Sequence, residues 1–85
     1  MGIIRLYMEN PKTYEREVLG ILTEQQLDFL IDNLEEEFEE DEEYLLNADT
    51  LDFLKNQKAD NNLIALLEKA LVGTKDGIEI LYLEE

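Results

Sequence analysis

Thr23-Glu24-Gln25-Gln26 and the residues that follow constrain this chain more than any other segment. The threonine hydroxyl can accept an orphan amide at a helix start while Gln26 reaches back to the threonine N–H, which makes a capping box. Leu22 before the cap and Leu27 at the fourth helical position supply the accompanying hydrophobic staple. Leu27, Leu30, Ile31, Leu34 and Phe38 then fall within about 100° of arc, so the spacing predicts an amphipathic helix from Glu24 to Glu39. A helix with a single apolar stripe must bury it against another element. The rest of the chain has to supply that element.

It does so with strands. Gly2 to Met8 alternates and is rich in Ile and Tyr, the pattern of a half-buried strand. Asn10-Pro11-Lys12 is a turn signal, because proline fixes its own φ and biases the preceding residue away from helix. From Tyr14 to Ile21 the alternation resumes, with Tyr14, Arg16 and Val18 on one side and Glu15, Glu17 and Leu19 on the other. A hairpin is predicted, with Gly20 weakening the interior of its second strand. Tyr44-Leu45-Leu46 reads as a short third strand.

Two more helices are expected. Asn47 or Asp49 can cap a short one that contains Leu51, Phe53 and Leu54 and ends near Gln57. Asp60-Asn61-Asn62 opens another, carrying Leu63, Ile64, Leu66, Leu67, Ala70 and Leu71 over a wide apolar arc. Lys69 suits its last turn and Gly73 its stop. Thr74-Lys75-Asp76-Gly77 is a turn, and Ile78 to Leu83 a closing strand with Ile78, Ile80 and Tyr82 on one face. The order is β-β-α-β-α-α-β. With 85 residues there is room for one small core, so the expected fold is one α+β domain over residues 1–85. Its two layers are a mostly antiparallel sheet of about four strands and helices on one face of it.

The charge is not spread evenly. Residues 35–43 read EEEFEEDEE, eight acids in nine positions, and that run alone supplies more than half of the net charge of −15. Concentrated like charge steers association with an oppositely charged partner. Glu35, Glu36, Glu37, Glu39, Glu40, Asp41, Glu42 and Glu43 are therefore the candidate docking residues for a basic protein. The plain alternative is a solvated helix end, held to the core by Phe38, whose only duty is solubility. A divalent-cation-responsive module is the rival reading, with Glu35/Glu39 and Glu36/Glu40 sharing a helical face. Asp41-Glu42-Glu43 lacks the alternating spacing and central glycine of an EF-hand loop, so no metal ligand is assigned. Mimicry of a nucleic-acid backbone needs acids along a longer track and ranks lower.

Composition limits the chemistry. The chain has no Cys, His, Trp or Ser, which removes thiolate chemistry, the commonest general base and metal ligand, and the usual acyl-transfer triads. The threonines, tyrosines and lysines show no grouping that resembles a site. The expectation is a non-enzymatic protein with no cofactor and no catalytic residue. The first residues are too short an apolar run for a secretory signal, and Leu6 stands where a myristoylation signal wants Ser or Thr. No stretch approaches a membrane span, and strong negative charge opposes anionic lipid and nucleic acid alike. A soluble cytoplasmic protein is expected, a monomer or weak homodimer.

Phe29 lies about 200° from Leu27 on the helical wheel, opposite the apolar stripe. Read as function it is an aromatic anchor for a partner; read as structure it lies under a loop or the hairpin. Phe53 poses the same question on the second helix. Tyr7, Tyr14, Tyr44 and Tyr82 fall on predicted strands, where sheet packing is the expected role.

Overall fold

The first and last strands of the chain lie side by side. β1 (Ile4–Glu9) and β4 (Ile78–Glu84) pair antiparallel, from Ile4 opposite Glu84 to Glu9 opposite Glu79. β2 (Arg16–Leu22) flanks β1, and β3 (Tyr44–Leu46) flanks β4, so the antiparallel sheet has the order β2-β1-β4-β3. The computed structural model describes residues 2–10, 12–34, 38–72, 74 and 77–85. Among them are three helices, α1 (Glu24–Asn33), α2 (Ala48–Asn56) and α3 (Asn61–Leu71), which gives the β-β-α-β-α-α-β order and the α+β class read from the sequence.

The pleat sorts the strand residues. Ile4 and Leu6 of β1, Ile78, Ile80 and Tyr82 of β4, and Leu46 of β3 share one core with Leu27 and Leu30 of α1, Leu51 and Leu54 of α2, and Leu63 and Leu67 of α3. These strand residues lie on one face, because successive side chains alternate. The helices therefore cover one side of the sheet, and Arg5, Tyr7, Glu9, Glu79, Leu81 and Leu83 belong to the other.

β2 departs from strict alternation. Gly20 pairs with Leu6 but Val18 pairs with Tyr7, leaving Leu19 as an extra residue in a bulge. Leu19 and Leu22 are both buried on the helix side, while Ile21 is turned out beside Arg5. Simple alternation would have placed Leu19 and Ile21 together. A Cβ on Gly20 would come within 2.6 Å of Leu66 Cδ2, so the missing side chain lets α3 approach the bulge. The hairpin turn is held by Asn10, whose Oδ1 accepts from the Lys12 N–H at 2.8 Å. Tyr14 has a φ of 62° and belongs to that turn, outside β2.

α1 has its expected start and a shorter run. The Thr23 hydroxyl accepts from the Gln26 N–H at 3.1 Å and Gln26 Oε1 accepts from the Thr23 N–H at 2.9 Å. The helix ends at Asn33, where Leu34 turns extended with a ψ of 136°, not at Glu39. Nothing in its last turn is basic, and the acids that follow would face the negative end of the macrodipole. Leu34 and Phe38 still reach the core, but as residues beyond the helix, and Ile31 is exposed. α2 is capped by Asn47, whose Oδ1 accepts from the Thr50 N–H at 2.8 Å. Asp60 precedes α3 without a side-chain capping bond, and its carboxylate instead accepts from Gln26 Nε2. Gly73 and the centre of the Thr74–Gly77 turn lie outside the described residues.

Candidate functional site

Phe38 fixes the second half of the acidic run to the sheet. It is 2% exposed, with its ring 4.9 Å from that of Tyr82 and 6.1 Å, edge-on, from that of Tyr44. Beyond it the chain runs along β4 past the end of β3. The Asp41 N–H donates to the Tyr82 carbonyl at 2.9 Å, and Glu40 Oε2 accepts from the Glu84 N–H at 2.9 Å. Backbone groups of β4 that β3 is too short to pair are thus satisfied by the acidic loop. Glu39 through Glu43 all keep exposed side chains. Burial, then the charges of Glu40, Glu84 and Glu39, push the Tyr82 phenol above its ordinary range.

Arg16 holds the same loop from the opposite edge. Its Nε lies 3.2 Å from Glu9 Oε1, one terminal nitrogen 3.3 Å from Asp41 Oδ1, and the other 3.7 Å from Glu43 Oε1. β2 and β3 are opposite edges of the sheet, so these ion pairs cross β1 and β4 over the face that carries no helix. Glu9 is buried beneath them, and Leu81, outside the helix-side core, is 0% exposed. The loop and Arg16 together form a strap over one end of the open face.

Glu79 sits directly opposite Glu9 under that strap. Burial raises its pKa first, then a hydrogen bond with Glu9 and the negative charges of Glu9 and Glu43. A carboxyl whose folded pKa is raised stabilises the fold below its unfolded value, near the ordinary glutamate range, and loses that contribution as pH climbs through the folded value. Glu79→Gln copies the protonated form at every pH. Its melting temperature is expected to exceed the parent's at pH 7, with the gap closing toward pH 4. A gain of the same size at both pH values would exclude like-charge repulsion as its source.

The candidate residues separate into three groups. Glu39, Glu40, Asp41, Glu42 and Glu43 come together along the β3–β4 edge. Glu35, Glu36 and Glu37 lie outside the described residues. Because α1 stops at Asn33, the helical face expected to pair Glu35 with Glu39 and Glu36 with Glu40 is not an extension of that helix. Phe29 stands apart from the acids. It is half-buried against the core in a cleft of about 410 Å³ between the starts of α1 and α3, lined also by Gln26, Asp60 and Leu63. Phe53 is 42% exposed and lines another cleft with Tyr44 and Asn47.

The pattern reading missed Arg16 as the residue that organises the loop, and Glu9 and Glu79 as its neighbours. The alternation placed Arg16 on a strand face but held no signal for a partner on the far edge. Among the described residues no three acidic side chains are grouped to hold a metal ion, and no helix is long and apolar enough to cross a membrane. No family model, curated protein or solved structure matches the chain.

Proposed function

We propose that this protein is a small acidic, non-enzymatic interaction domain of the cytoplasm that docks a basic protein partner through the run at residues 35–43. The observation that carries the reading is the way the described part of the run is presented. Phe38, the Asp41–Tyr82 and Glu84–Glu40 bonds and the Arg16 ion pairs fix the backbone, and five acidic side chains stay in solvent. A fixed ridge of like charge focuses its field outward and gives up little conformational entropy when a partner arrives. A run serving only solubility would need no such fixing. The absence of Cys, His and Ser from the sequence favours binding over catalysis.

The test is capture from the source-cell lysate at low and moderate salt. The native chain is compared with a variant in which the eight acids of residues 35–43 become Gln or Asn and Phe38 is kept. A specific basic protein held by the native chain and lost by the variant is the expected result. Equal capture by both baits would return the run to a solvated surface.

A further inference from the structure

The sheet face opposite the helices carries an apolar patch between its charged residues, where an antiparallel sheet normally meets water with polar side chains. Val18 of β2 faces Tyr7 of β1, which in turn pairs with the fully buried Leu81 of β4. Ile21 and Leu83 flank Arg5 in the next row. Leu45 extends the patch to β3, on the face of Glu79. Val18 is 53%, Ile21 59% and Leu45 54% exposed.

Charge selects the occupant. Toward one end the patch is bordered by Glu9, Glu79, Asp41 and Glu43, with Arg16 the cation among them. Toward the other, Arg5 is already paired with Glu85. A second copy would bring its own net charge of −15, and a nucleic acid or anionic lipid surface would bring phosphate. We infer that this face seats a basic amphipathic helix of a partner protein. Its apolar side lies on Val18, Ile21, Tyr7 and Leu45, and its lysines or arginines take Asp41 and Glu43 from Arg16. The inference rests on the acidic docking reading and adds to it the surface that supplies contact area. The strap then has a second role: Arg16 holds the two acids until a stronger cation replaces it.

Two synthetic peptides test this, a lysine/leucine helix and its analogue with every leucine changed to glutamine. Each is titrated into the native chain, into Val18→Thr/Ile21→Thr, and into Asp41→Asn/Glu43→Gln, with amide and methyl shifts followed by NMR. Threonine keeps the β-branched shape and the net charge, so the first variant removes apolar surface and little else. The leucine peptide is expected to bind the native chain about tenfold more tightly than its analogue. Its shifts should centre on Val18, Ile21, Tyr7 and Leu45, and the threonine variant should lose that tenfold advantage. Equal binding of both peptides, with shifts confined to residues 39–43, would overturn the sheet-face site and leave the acidic docking reading standing. No binding of either peptide would overturn both. Concentration-dependent dimerisation that shifts the same face without any peptide would replace the partner helix by a second copy.

Discussion

Phe38→Ala is expected to lower folding stability by about 3–5 kcal/mol, the range for truncating a buried aromatic ring. In a domain of 85 residues that is a large part of the total. The size follows from where the ring sits. Phe38 contacts Tyr82 in a central strand and Tyr44 in an edge strand, and it reaches them from a loop without helical hydrogen bonds to hold it. Truncation leaves a cavity under a segment that is also tied to β4 by hydrogen bonds and to Arg16 by partly exposed ion pairs, and it removes the most deeply buried of these attachments. A urea melt reads the loss directly. Hydrogen exchange should show the Asp41 and Glu84 amides losing protection well before those of β1. A loss under about 1 kcal/mol, with those amides still protected, would mean the loop is held without the ring.

Gly77→Ala is expected to cost about 2–3 kcal/mol, combining backbone strain with a steric clash. Gly77 has a φ of 97°, a region that residues with a Cβ rarely adopt. An added Cβ would fall 2.5 Å from the Leu46 carbonyl oxygen, which is backbone and cannot rotate away. Leu46 pairs with Ile78, so relief of the clash pushes β3 from β4 at the end of β3 that leads into α2. Gly20→Ala is the control. Its Cβ would meet the end of the Leu66 side chain, which can swing aside, and its effect should be distinctly smaller. Equal melting temperatures for the two variants would show that the Gly77 backbone relaxes without displacing β3.

Much of this architecture was legible because local chemistry and burial agree. Thr23 and Gln26 cap α1 as their spacing requires, Asn47 caps α2, and the even-numbered apolar residues of β1 and β4 turn together toward the helices. The misreadings arise where two rules compete. The stripe through Phe38 carried the predicted helix onward, but an unfavourable dipole end and the pull of Tyr82 on Phe38 make an early stop the better arrangement. Alternation alone put Ile21 with Leu19, and the bulge beside Gly20 separates them. Phe29 looked exposed on a helical wheel because a wheel carries no information about α3, whose start lies across the cleft.

The candidate site divides along the same line. The sequence by itself determined that negative charge is concentrated at residues 35–43, that the apolar pattern suits helices on a sheet, and which chemistries the composition disfavours. Each of these depends on neighbours within a few turns or strand residues, where spacing is geometry. Tertiary structure decided that β1 and β4 meet at the centre, that Arg16 reaches Asp41 and Glu43 from the far edge, and that Glu79 is pressed against Glu9. It also decided which face of the sheet stays open. Those outcomes turn on strand order, and strand order is set by burial summed over the whole chain, which no local stretch of residues encodes.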